Sequence, residues 1–381
     1  MKIRSLKMQD QQYGNQWCDE VKDRWDYQDF QDRPEWRNGW ISMDCGLNVE
    51  SQKRIYLGVT SFASDIFHAY DRESGRFVNL GFNRIADPFD AKFHRALVQA
   101  PDGMVYAGIA LLHDVDLYWD APGGAIVRYN PLTNELVKLA IPIPHCYIQS
   151  IVLDPERQII YCLHFAPEYL SSYNLRTGEV KNLGLVGSGY GGMAQGENIV
   201  LDDNGCVWCN WSLTRAWQSE PGSDAIRLCK YDPESGKIIF YRTGLPRTDG
   251  THGFVKTESF FNFHDGSVYA SGDGGSFYRI DPKSGSAEFL FKPIQDRPSR
   301  LSSLVEREPG LVYGVTGRNG NCQFMRINLK AGTFEILGNL VDSEGEALWQ
   351  AHDVVVTKDG TFYVCENDNP HRSSYLWEVK I

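Results

Sequence analysis

The chain has no run of about 18 apolar residues, so no membrane-spanning helix is expected. It is also short of positive charge: 38 Lys and Arg stand against 49 Asp and Glu, a formal net charge of −11. Nucleic-acid partners need a basic footprint, and this balance argues against one. For the same reason an anionic ligand would need a local basic pocket. The opening stretch MKIRSLKMQDQQYGNQW lacks the apolar core of a secretory leader, so a cytoplasmic location is expected. The nine cysteines are odd in number and scattered from Cys18 to Cys365, which fits a reducing compartment better than a disulfide framework. The lone CxxC pair, Cys206 and Cys209, sits in the strand-like GCVWCNW. An odd offset along a strand sends the two thiols to opposite faces, so they read as core residues rather than a zinc site. Helical periodicity is missing outside a short N-terminal stretch, and there is no HxH or HExxH metal motif.

What is present is repetition. YDRESGRFVNLG at Tyr70 reads as strand, tight turn, strand, and relatives follow at Tyr129, Tyr173, Tyr231, Ile280 and Ile327. A second marker, a turn followed by an apolar strand with one aromatic, precedes these hairpins. Its aromatics are Tyr56, Tyr106, Tyr161, Trp208, Tyr269, Tyr313 and Tyr363, at spacings of 44 to 61 residues. Units of that length holding four short strands predict an all-β fold, a β-propeller with seven blades of four strands each. The last unit ends at SYLWEVKI, one strand short, so the N-terminal segment is expected to supply the missing outer strand and remove an open sheet edge. The expected organisation is an N-terminal wrapping segment, 1–40, holding Trp17, Trp25, Trp36 and Trp40, followed by the propeller, 41–381.

Loops on a rigid scaffold carry most chemistry, and here the first strands of the blades would open at the loop-bearing face. From the second marker aromatic onward, the residue twelve positions earlier falls on or beside His94, Gln149, Gln195, Glu197, Glu258, Leu301, Gln350 and His352. Loops from the same face add His113 and Trp119, His164 and Tyr169, Trp211 and Arg215, and Arg372. Imidazole or phenol can exchange a proton with a carbon acid or a glycosidic oxygen. Arginine pairs with carboxylate, and exposed tryptophan stacks on sugar rings. Uronic acids use all of these groups. His94, His113, His164 and Tyr169 are therefore the candidate catalytic residues. Arg215, Trp211, Trp119, Gln149, Gln195 and Arg372 are the candidate substrate-binding ones. A rival use of the polar blade entrances is a divalent cation, Mn, Ca or Zn, held by His352, Gln350 and His252.

The units FHRALVQAPDGMVYAG, GGAIVRYNPLTNELVKL and IIYCLHFAPEYLSSYNLRTGEVKNLG resemble the seven-bladed propeller lyases and hydrolases that act on uronate-containing polysaccharides. That group includes ulvan lyases, rhamnose–glucuronate lyases and related α-L-rhamnosidases. The resemblance implies catalytic roles for His94 and His113, and for Tyr161, His164 and Pro167 as the region of the next blade's Tyr or His. It also implies an arginine before the DDNG turn. GGMAQGENIVLDDNG offers Gln195 and Glu197 there instead, which leaves Arg215 as the expected replacement. A weaker resemblance runs to metal-using propellers such as oligogalacturonate lyase and virginiamycin B lyase, where His with Gln or Glu holds the ion. Three readings stay open: a lyase cleaving uronate oligosaccharides by β-elimination, an α-L-rhamnosidase-like hydrolase, and a non-catalytic binding platform. The expected partner is a small oligosaccharide, with no nucleic acid and no membrane, and the expected state is a monomer.

Overall fold

In the structure, a computed structural model, residues 1–10, 12, 41–62, 65–113, 115–187, 195–212, 225–297 and 299–381 are described. They build antiparallel four-stranded sheets joined by tight turns, with helix limited to three short 3-10 turns among the described residues. No helix among them is long and apolar enough to cross a membrane. The chain divides into two compact units, 1–148 with 319–322 and 338–381, and 149–318 with 323–337.

Within the first unit, one sheet runs Ile41–Val49, Arg54–Ser61, Phe67–Asp71 and Arg76–Asn79 in chain order, and the next starts at Asp90–Gln99. The sheet that starts at Ala351–Val356 takes its fourth strand from the N-terminus: Lys2–Leu6 pairs antiparallel with Leu376–Lys380. Arg4 clamps that pairing by a two-pronged contact, Nε to Glu378 Oε1 at 3.1 Å and Nη2 to Glu378 Oε2 at 2.9 Å. Within the second unit, sheets include strands Ile159–Phe165 and Glu168–Asn174, Val207–Trp211 and Arg227–Asp232, Thr257–Asn262 and Val268–Gly272, and Ser303–Glu308 and Leu311–Thr316.

The repeated hairpin has a local cause. The first residue of its turn is always Asp or Asn, whose side-chain oxygen accepts a backbone N–H two or three residues on: Asp71 from Ser74, Asn130 from Leu132, Asn174 from Thr177, Asp232 from Glu234, Asp281 from Lys283 and Asn328 from Ala331. The chain must then turn through positive φ. Gly75 does so at 67°, and Asn134 fills the same place at 59° in the copy without glycine. All seven marker aromatics are buried, which is why they recur: each anchors its sheet in the core.

Candidate functional site

In the first unit the first strands of three sheets each carry a bulge. Register slips between Met43 and Cys45, between Phe93 and Leu97, and between Ala351 and Asp353. The residues that these slips skip in the register include Asp44, His94 and His352. A bulge bends the strand and re-aims a side chain, which is how a pleated sheet brings a polar residue to a chosen place. Here it brings two imidazoles together: the rings of His94 and His352 lie 4.6 Å apart, at 75° to each other. Both are buried, at 6% and 1% exposure.

His352 Nδ1 donates to the backbone carbonyl of Asp44. That bond fixes the tautomer, so the neutral ring carries its lone pair on Nε2. The Asp44 carboxylate accepts from Thr60 Oγ1 at 2.5 Å and lies 3.8 Å from Lys92 Nζ. Behind the pair, Asp353 binds Arg95 Nη1 at 3.2 Å and the Gly46 N–H at 2.9 Å. Burial pushes the Asp353 carboxyl upward, and the Arg95 guanidinium pulls the other way. Gly58 is required by the crowding here, since a Cβ would stand 2.5 Å from Cys45 Sγ and 2.7 Å from Phe93 Cβ.

The sequence placed His94 at the head of its strand beside His113. The strand instead begins at Asp90, and His94 lies within it. His113 packs edge-on against Phe89, with ring centroids 5.6 Å apart, and Phe89 is on the order of 15 Å of extended strand from His94. It belongs to a separate aromatic group. Trp119, 77% exposed, touches Tyr118 and His145 at 5.1 Å each, and His145 Nδ1 is held by the Ala121 carbonyl at 2.8 Å.

Arg372 does not face a ligand. It is 3% exposed, grips Glu366 through Nη1 at 2.7 Å and Nη2 at 3.1 Å, reaches Glu346 at 3.2 Å and lies 3.7 Å over the Tyr375 ring. Gln350 is half-buried next to the strand that carries His352.

In the second unit, His164 has no exposed surface and its Nε2 meets Ser171 Oγ at 2.7 Å, so it is sealed inside the sheet rather than presented at a rim. Tyr169 is half-buried on the neighbouring strand, and Gln149 is buried. The Gln195 side chain imitates a strand, accepting the Asn210 N–H at 2.9 Å and donating to the Asn210 carbonyl. Trp211 is tied to the Tyr241 carbonyl at 2.9 Å, and His252 is exposed. Arg215 lies outside the described residues.

What the sequence missed is Arg300. Its Nη2 meets Glu197 Oε1 at 2.5 Å and its Nε binds Glu258, the residue displaced by a bulge between Thr257 and Ser259. The signal was present: Arg300 precedes Leu301, the residue that the blade alignment places at a strand opening.

No family model matches the chain, and no curated protein matches it. Solved structures do. U3-55K aligns at TM-score 0.59 with 9% identity, over 91% of this chain and 97% of that one. The WD40 repeats of RRP9 align at 0.59 with 9% identity, over 90% and 95%. An oligogalacturonate lyase in complex with manganese aligns at 0.58 with 12% identity, over 90% of each chain. Together with the sheet pattern, these likenesses define the class: the protein is an all-β propeller.

Proposed function

We propose that this propeller is a carbohydrate-active enzyme, a lyase that opens uronate-containing oligosaccharides by β-elimination at a centre built on His94 and His352. The observation that carries the reading is the buried imidazole pair with the His352 tautomer fixed by the Asp44 carbonyl. The likeness to a lyase solved with manganese supports it.

The pair suits a divalent cation. Metal-binding histidines commonly donate their second ring N–H to a carbonyl, as His352 does, and imidazole suits Zn better than the harder Mn or Ca. When bound, such an ion would neutralise the uronate carboxylate and so acidify the proton at C5. His113, the acid–base candidate of the sequence that lies outside the pair, would accept the C5 proton and return one to the departing glycosidic oxygen. The Asp44 carbonyl orients His352, Thr60 and Lys92 hold the Asp44 carboxylate beside it, and His94 faces His352 from its bulge. A sugar ring would stack on Trp119, with His113 and His145 within the same aromatic group.

The test is product absorbance on a panel of uronate oligosaccharides, with and without manganese and a chelator. The lyase product carries a conjugated double bond. His94→Ala and His352→Ala should each lower kcat/KM by about 100-fold or more, with fold retained by circular dichroism. Bond cleavage without ultraviolet absorbance would replace the lyase with a hydrolase. The binding-platform reading is favoured by one observation: Arg372, Gln195 and His164 are all engaged inside the fold. Turnover of any panel member would end it.

A further inference from the structure

Two cysteines in the second unit are placed as a reacting pair. Cys209 lies on Val207–Trp211 and Cys229 on Arg227–Asp232, and the two residues stand directly opposite each other in the antiparallel register. Their sulfurs are 3.2 Å apart, and both side chains are buried. Directly opposed residues in an antiparallel pair have Cα atoms about 4.5–5.5 Å apart. That spacing falls inside the roughly 4.4–6.8 Å window over which a disulfide closes without backbone movement. Bond formation needs the sulfurs to approach to about 2.05 Å, roughly an ångström of side-chain rotation.

We infer that Cys209 and Cys229 form a reversible cross-strand disulfide, a modification site at which a peroxide of water-like size is the oxidant. Hydrogen peroxide oxidises one thiol to a sulfenic acid and releases one water. The second thiol then displaces a further water as the S–S bond forms. Two thiols and one peroxide thus give one disulfide and two waters, and a small dithiol reverses the change by exchange.

The surroundings set the rate. Tyr161, Leu163, Val207 and Ile199 belong to the same apolar cluster, and burial pushes the Cys229 thiol well up, so that thiol is neutral at rest and slow to react. The bond would form over many openings of the sheet rather than on contact. Cys206 does not compete, because it is three residues away from Cys209 along an extended stretch and so faces the other side.

The consequence is local to the segment 210–228, whose two ends the bridge would tie. That segment holds Trp211 and Arg215, two residues the sequence marks for ligand contact. The inference stands apart from the proposed lyase activity and does not use it.

The experiment treats the native full chain with hydrogen peroxide, alkylates the remaining thiols and digests it without reductant. The expected result is one cross-linked peptide pair joining residues 209 and 229, two hydrogens lighter than the separate peptides. The free-thiol count falls by two, the melting temperature rises, and dithiothreitol reverses all three. Cys209→Ser and Cys229→Ser abolish the cross-link, and Cys206→Ser leaves it. If these serine variants fail to fold, thiol counting on the wild-type chain still decides. Oxidation of single cysteines to sulfinic acid, bridges to other cysteines, no loss of thiols after prolonged exposure to excess peroxide, or a 209–229 bridge that forms only in denaturant would each overturn the inference.

Discussion

A charged side chain named by its chemistry can be spent in two ways, and Arg372 shows how the structure tells them apart. A guanidinium waiting for a uronate would keep one flank toward solvent. This one has both flanks on carboxylates and its face on Tyr375. Glu366, its main partner, is fully buried and also accepts the N–H groups of Trp349 and Tyr375. Removing Arg372 would leave that carboxylate buried and uncompensated, so Arg372→Ala should cost about 3–5 kcal/mol of stability. Denaturant unfolding checks this. A stable variant with a raised KM would return Arg372 to the substrate. The imidazoles divide likewise. His94 and His352 are legible as polar groups near strand openings, but their meeting depends on bulges, which a period-two pattern does not announce. His164 falls at a plausible distance from its marker Tyr161 and is nonetheless sealed in the sheet, because one step along a strand reverses the face.

At the scale of the element, the hairpin was readable because its physics is local. The acceptor at the first turn position and the left-handed residue at the fifth lie within five residues of each other, so the sequence holds everything the turn needs. The same locality gives a pH dependence. Hydrogen bonds from Ser74, from Ser235 and from Lys283 hold the carboxyls of Asp71, Asp232 and Asp281 below the usual range. A carboxyl whose folded pKa is depressed contributes stability above its unfolded value, near 4, and loses it as pH falls through the folded value. Asp90 and Asp353, raised by burial, act with the opposite sign and favour the fold as pH falls through their raised values. Asparagine does the turn's work without a charge at Asn130, Asn174 and Asn328. Asp71→Asn should therefore be near-neutral at pH 7 and flatten the acid limb of the melting curve. Asp71→Ala should lose less than about 1 kcal/mol at neutral pH, because the turn is exposed and screened. Melting temperatures from pH 2 to 7 for the two variants separate these outcomes; equal acid limbs for wild type and Asp71→Asn would refute the assignment.

Across the whole molecule the hardest thing to read is which distant residues meet, and the N-terminal strand is the case where the sequence did show it. Counting strands in the last unit left one place open, and Lys2–Leu6 fills it beside Leu376–Lys380. The need is physical: without that strand, the N–H and C=O groups on one side of Leu376–Lys380 would form a bare edge open to pairing with another chain. Arg4 is about half exposed, so its contact with Glu378 is worth roughly 1 kcal/mol or less, and Arg4→Ala should lower the melting temperature only slightly. Removing residues 1–8 acts on the backbone ladder itself. That truncation should melt earlier, and its elution on gel filtration should shift to larger species as concentration rises, while Arg4→Ala stays unshifted. A truncated chain that melts with the wild type and elutes unchanged would show that this strand is an ornament on the sheet and not part of what holds it.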